Sequence, residues 1–224
     1  MAGAALRPPG VTEFAAAYDI HVGGIWAGEV VTDAELGDDN YRATMAVRTR
    51  GIVGFFFDER WQGETVGRVE GRQLVPEQHR SHESEREIEV AFADGKPAKV
   101  HAEPEFNVKP WSIEASEQDG ATDPVSALVA LLVPAPADEI CNQRIEAFDG
   151  RHRFAFELGE PQGDGEVIRC PGAFERIAGY KPKKVGEREP FTAAFKRRKD
   201  GSYQVIRVDV PVGYGGVAVM RLRD

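Results

Sequence analysis

The sequence predicts an all-β fold: a single, strongly curved antiparallel meander with one short buried helix. Three observations predict it. First, apolar and polar residues alternate with a period of two along several runs. Tyr41, Ala43, Met45 and Val47 oppose Arg42, Thr44 and Arg48, and Ile88, Val90 and Phe92 oppose Glu87 and Glu89. Second, turn signals separate the runs: Gly23-Gly24, Glu70-Gly71, Asp94-Gly95, Asp149-Gly150 and Asp200-Gly201. Third, the helical signature occurs once, where Asp123 can cap and Pro124 can open a run, SALVALLV, that continues to Val133 before Pro134 and Pro136.

Taken in order, residues 1–12 read as a flexible arm, because Pro8-Pro9-Gly10 cannot join a hydrogen-bonded ladder. Residues 13–224 read as one β domain, with no internal repeat and no interdomain linker. Glu13–Val22 and the run IWAGEVV form a first hairpin. Tyr41–Arg50, Arg60–Glu70, Arg72–Ser81 and Glu85–Phe92 follow as strands, and Lys99–Ala102 as a short one. The acidic stretch 103–121, broken by Pro104 and Pro110, is an excursion or loop. The helix is apolar nearly all round and should plug the core, with Leu128 among its buried side chains. Asp138–Phe148 and Arg151–Leu158 form a hairpin. Glu166–Cys170, Gly172–Tyr180, Phe191–Arg197, Tyr203–Val210 and Val217–Leu222 complete the strands.

The chain has 224 residues, 42% of them hydrophobic, which is enough to bury a sizeable core. No apolar run reaches the ~18 residues that a membrane-spanning helix needs. The net charge of −9 is unevenly spread. Residues 1–140 carry 12 Lys/Arg against 25 Asp/Glu, and residues 141–224 carry 16 against 12. The basic runs Lys181, Lys183, Lys184 and Lys196-Arg197-Arg198-Lys199 read either as solvated edges or as contacts to an anionic partner such as a lipid head group. No aromatics interleave with them, so nucleic acid is not expected.

Cys141 and Cys170 are the only cysteines. Free thiols, a metal pair and a disulfide are the alternatives. The spacing lacks a Cys-x-x-Cys and further ligands, so a disulfide closing a β-hairpin is the preferred reading. A structural disulfide implies an oxidising compartment, and a periplasmic location is expected. MAGAALRPPG lacks the regions of a signal peptide, so an export signal is expected to have been removed.

A search for chemistry returns little. His79-x-x-His82 would diverge on a strand, where residues three apart face opposite sides. There is no nucleophile elbow, phosphate-binding loop or dinucleotide motif. Arg151-His152-Arg153 could hold an anion, but a solvent-facing hairpin tip is the preferred reading. We expect no catalytic residues, no metal and no cofactor. The aromatics Trp26, Phe55, Phe56, Phe57 and Trp61 are candidates to line an apolar groove on the concave face, wherever the helix leaves it unfilled.

Several segments in order resemble a known family. They are Tyr18-Asp19-Ile20 with Gly24 and Ala27-Gly28-Glu29; then Arg48-Thr49-Arg50-Gly51-Ile52-Val53-Gly54; then Asp123-Pro124-Val125-Ser126-Ala127-Leu128; then Phe148-Asp149-Gly150-Arg151. Together they resemble the bacterial exported envelope proteins grouped as domain of unknown function 3108. Cys170 to Tyr180 resembles the alphaproteobacterial type. The resemblance implies an envelope protein with a signal peptide and an all-β sheet in the form of a half-barrel or β-spiral, similar to that of the lipoprotein-localisation carriers, which hold lipid chains on the concave face. It brings no catalytic residues.

Three functions follow as expectations. The leading one is a periplasmic, non-enzymatic protein that binds a lipid, a lipoprotein segment or another amphipathic ligand. The second is a structural or scaffold protein of the envelope that binds protein partners. The third is an enzyme with an unrecognised polar site around His79, His82 or Arg151.

Overall fold

The computed structural model describes residues 5–6, 13–49, 60–71, 73–163 and 165–223. The strands are β1 (Ala5–Leu6), β2 (Glu13–Val22), β3 (Ile25–Leu36), β4 (Asn40–Thr49), β5 (Arg60–Glu70), β6 (Gln73–Glu83) and β7 (Arg86–Ala93). After these come β8 (Lys96–Glu103), β9 (Gln143–Phe148), β10 (Arg153–Leu158), β11 (Val167–Ala178), β12 (Arg188–Arg197), β13 (Tyr203–Val212) and β14 (Gly216–Leu222). The single α-helix among the described residues is α1 (Pro124–Leu132).

Thirteen strands form one antiparallel sheet in the order β8-β7-β6-β5-β4-β3-β2-β14-β13-β12-β11-β10-β9. Apart from the β14–β2 pair, which joins the two ends of the chain, every pair in this order is between strands adjacent in sequence. The fold is therefore a curved antiparallel meander, a nearly closed half-barrel with one helix. Two residues of the expected flexible arm are in fact paired: Ala5 and Leu6 lie opposite Leu74 and Gln73 on β6.

The alternation read from sequence is the inside–outside alternation of the sheet. Tyr41, Ala43 and Met45 are buried while Arg42 and Thr44 are exposed. Ile88 and Val90 are buried on β7. Three strand expectations change. β8 runs for eight residues, Lys96–Glu103, because both of its ends extend alongside β7. The stretch starting at Asp138 opens as a 3-10 turn, Ala137–Glu139, so β9 begins only at Gln143. Glu166–Cys170 and Gly172–Tyr180 are one continuous strand, β11, that passes through Pro171. The Pro171 carbonyl accepts from Gly159 N at 2.7 Å, so its missing N–H points to the same side, where β10 has already ended at Leu158.

The two edges of the sheet meet without pairing to each other. Phe148 shares the outer face of β9 with Glu146, yet it is fully buried against Ile88 and Val90 from the inner face of β7. One edge therefore overlaps the other, as in a spiral. Gly150 turns the chain there at φ +96°, and a Cβ on it would lie 2.8 Å from Ile88 Cγ2. The stretch 103–123 fills the seam. Thr122 N donates to Glu146 O and Phe148 N to Thr122 O, which adds a parallel bridge to the β9 edge.

Helix α1 enters the main core from this seam. Asp123 is its N-cap and accepts from Ser126 N at 3.0 Å. Val125 and Val129 are fully buried. Gly63 on β5 admits the helix closely, since a Cβ there would stand 2.7 Å from Val125 Cγ2 and 2.6 Å from the Trp61 ring. Leu128 and Leu131, adjacent at i and i+3, are only half-buried, so the helix leaves one side open instead of being enclosed all round.

Cys141 and Cys170 form a disulfide with Cα atoms 5.6 Å apart. It does not close a simple hairpin. Cys141 precedes β9 and Cys170 lies in β11, so the bond reaches across β10 and staples the edge of the sheet to its third strand. The chain leaving α1 is held beside it: Ala135 and Tyr203 exchange two backbone hydrogen bonds of 3.0 and 2.7 Å.

Candidate ligand-binding face

The concave face is divided between two kinds of surface. Over β4, β5 and β6 it is filled by α1 and closed by a buried polar brace. Over β10–β14 and β2 it is apolar and still partly accessible.

The brace consists of Thr65, His79, Asp123 and Ser126, all 0% exposed, together with Tyr41. Thr65 Oγ1 donates to Asp123 Oδ1 at 2.6 Å. That uses the only hydroxyl proton of Thr65, so His79 Nδ1, at 2.9 Å, must donate to Thr65 Oγ1. This assigns the protonated nitrogen of His79 to Nδ1, which also lies 3.3 Å from Asp123 Oδ1. Ser126 Oγ and Tyr41 OH share a 2.6 Å hydrogen bond. Burial pushes the Asp123 carboxyl up, but the His79, Ser126 and Thr65 donors outweigh it and hold the group below its usual range. The cluster pins the helix N-terminus to β4, β5 and β6.

The open half is built by alternation. Ile20, Met220 and Val208 lie opposite one another on β2, β14 and β13. Phe174 lies opposite Phe156 on β11 and β10. Between these groups, Phe191 lies over Gly172: a Cβ at Gly172 would stand 2.7 Å from the Phe191 ring and 2.5 Å from Glu157 O. Glycine at that position lets an aromatic ring lie flat on the sheet. Phe154, Phe156 and Phe174 pack at centroid distances of 5.2 to 5.7 Å. All six stripe residues, Ile20, Phe156, Phe174, Phe191, Val208 and Met220, are half-buried and pack on the main core. At the mouth, the Arg176 guanidinium sits over the rings of Phe174 and Tyr180, 5.5 and 5.6 Å from their centroids, and pairs with Glu189 at 2.7 Å.

The candidates chosen from sequence lie elsewhere. Trp26 is 45% exposed and on the outer face, where Nε1 donates to Asp19 Oδ1 at 3.2 Å. It does not line the concave groove, because a bulge at Ile20/His21 pairs it with the outward His21. Trp61 points inward and is half-buried beside α1. Phe55, Phe56 and Phe57 lie outside the described residues. The accessible aromatics come instead from the second half of the chain. The signal for them in the sequence is the alternation Phe154-x-Phe156-x-Leu158, which puts these side chains on one face of β10.

The polar candidates do not converge. His79 is buried in the brace, while His82 is exposed on the opposite face of β6. Asp149 Oδ1 accepts from the backbone N–H of Arg151 and His152, and the Arg153 side chain is taken by Glu146 at 2.6 Å. An open groove of ≈ 570 Å³ crosses the outer face of β3–β8, lined by Asp33, Glu64, Arg80, His82, Glu89 and His101. Within it, Glu64 pairs with Arg42 and Glu89 with Arg80. Among the described residues no group of three or more His, Cys, Asp or Glu side chains is placed to hold a metal ion. No helix among them is long and apolar enough to cross a membrane.

A family model described as "Protein of unknown function (DUF3108)" matches residues 17–176. The chain belongs to this family. The match begins in β2, passes through α1 and its cap at Asp123, and ends in β11, so it takes in the brace and much of the concave face. No curated protein matches the chain. Membership brings no activity with it.

Proposed function

We propose that this DUF3108 protein is an exported, periplasmic, non-enzymatic protein that holds an apolar or amphipathic ligand on the open half of its concave face. The ligand class is an acyl chain, free or carried by a lipid or lipidated segment. One observation carries the reading: the stripe Ile20, Met220, Val208, Phe191, Phe174, Phe156 stays half-buried although it lies inside the sheet's curve. Covering such surface stabilises by about 25 cal/mol per Å² of apolar area removed from water. Micromolar binding, about −8 kcal/mol, therefore needs roughly 500 Å² or more of covered apolar surface once an association cost of at least about 4 kcal/mol is met. Gly172 supports the reading by keeping the floor of the stripe flat.

The disulfide Cys141–Cys170 supports export, because such bonds persist in oxidising compartments. The burial of Asp123 and His79 favours a non-enzymatic role, since this carboxylate–imidazole pair, sealed in the core, is used to hold the helix. Native mass spectrometry of protein purified without detergent tests the proposal, together with titration by a fluorescent fatty acid. A co-purifying lipid or saturable probe binding, weakened at least tenfold by Met220→Glu, is the expected result. Absence of both, in protein with an unchanged melting curve, overturns it.

A further inference from the structure

Six large apolar side chains are exposed among the described residues: Ile25, Trp26, Val31, Val108, Val185 and Val217. Four of them, Ile25, Trp26, Val185 and Val217, gather on one rim of the half-barrel. The sheet order places the β2–β3, β13–β14 and β11–β12 connections side by side at that end, because β3, β2, β14, β13, β12 and β11 are consecutive neighbours. The first connection carries Ile25 at 75% exposure and Trp26 at 45%, the second Val217 at 41%, and the third Val185 at 48%. Residues 22–27 and 211–217 contain no charged side chain. The tips stand clear of the body, since a Cβ added at Gly23, Gly24, Gly186, Gly213 or Gly215 would meet nothing within 4 Å.

Charge is distributed to match. The third connection carries Lys181, Lys183 and Lys184, all exposed. Lys184 pairs with Glu187 at 3.0 Å, while Lys181 and Lys183 have no ion pair among the described residues. The acids nearest the tips are neutralised: Arg223 and Arg48 take Glu29, Arg223 takes Asp19, and Arg176 takes Glu189. Glu85 shares the rim but belongs to the β6–β7 turn, beyond β4 and β5. At the opposite rim the β3–β4, β5–β6 and β7–β8 turns expose Asp38, Asp39, Glu70 and Asp94. The second basic run, Lys196–Lys199, is also on that opposite rim, so the two runs never act together.

We infer that this rim is a docking surface for an anionic lipid bilayer, with the tips Ile25, Trp26 and Val217 entering the interface and Lys181 and Lys183 meeting the head groups. A tryptophan with a satisfied N–H and an apolar ring suits the boundary between head groups and acyl chains. Small apolar tips alone bind weakly, and lysines beside them add about 1 kcal/mol each near an anionic surface. The opposite rim has its own basic run, Lys196–Lys199, but the Lys181–Lys184 rim is the one that joins exposed lysines to exposed apolar tips, and that combination sets orientation. The mouth beside Arg176 and Phe174 lies at this same end, which would bring the concave face to the membrane. The docking surface stands on its own whether or not that face holds a ligand.

Vesicle flotation of the full chain tests it, comparing phosphatidylcholine with phosphatidylcholine containing about one-third phosphatidylglycerol. The expected result is flotation with the anionic vesicles, lost in high salt. Lys181→Gln and Lys183→Gln should each weaken partitioning roughly fivefold, and Ile25→Asp with Val217→Asp should abolish it. Val31→Asp, at an exposed apolar site in the middle of β3, should leave flotation unchanged. Equal flotation with neutral vesicles, flotation indifferent to the rim variants, or no flotation at all overturns the inference. So does a rim variant that instead breaks a dimer or a complex with another protein. Fatty-acid binding in solution by the rim variants separates the two readings, since it should be unaltered if only docking has been removed.

Discussion

Asp123 offers the sharpest test of how the helix is held. Replacing it with alanine removes the N-cap acceptor for Ser126 N, at a cost of about 0.5–2 kcal/mol. It also leaves the Thr65 hydroxyl without its acceptor inside a fully buried cluster, which costs a further ~1–3 kcal/mol. The expected loss is therefore about 1.5–5 kcal/mol, a large part of the ~5–15 kcal/mol that holds an ordinary domain together. Urea unfolding at neutral pH with the disulfide intact measures it. Asp123→Asn adds the pH dependence. The Asp123 carboxyl has a lowered pKa in the folded protein. Its ionisation therefore contributes stability in full above the unfolded value of about 3.9, and that contribution is lost as pH falls through the lowered folded value. The gap between wild type and Asp123→Asn should be constant near neutrality and shrink in acid. A loss below about 1 kcal/mol for the alanine variant, or a gap that does not narrow in acid, would refute the brace.

Three further outcomes follow from the packing. Cys141→Ser with Cys170→Ser should cost about 3.5 kcal/mol in oxidising buffer, as expected for a loop of this length, match the reduced wild type, and leave fatty-acid binding intact; equilibrium unfolding with and without reductant reads this. Gly63→Ala should destabilise by ~1–3 kcal/mol because its methyl would overlap Val125 and the Trp61 ring; an unchanged urea midpoint would mean the helix has room to withdraw. Leu128→Ala should cost less than Val129→Ala relative to side-chain size, because Leu128 is half-buried and Val129 fully buried; paired unfolding curves decide it.

Much of the fold was legible because its signals are local. Alternation at Tyr41–Val47 and Ile88–Phe92 fixed which faces are buried, and Asp123-Pro124 marked where the helix starts. What escaped depends on contacts distant in sequence. Pro171 reads as a strand break, and only the end of β10 beside it makes it harmless. Phe148 sits on an outward face, and its burial arises from β7, about sixty residues earlier, sliding beneath it. The disulfide partners were legible from their number, but a bond across three strands was not. At the candidate site the difficulty was different: whether an inward aromatic is sealed or open depends on where the helix lies, and no local pattern around Phe156, Phe174 or Phe191 encodes that.

A photoreactive fatty acid, crosslinked to the folded protein and mapped by peptide mass spectrometry, tests the central claim most directly. The account predicts adducts on the half-buried stripe, at Ile20, Phe156, Phe174, Phe191, Val208 or Met220, suppressed by excess unlabelled fatty acid. Adducts confined to the outer face, or none above the level in unfolded protein, would contradict it.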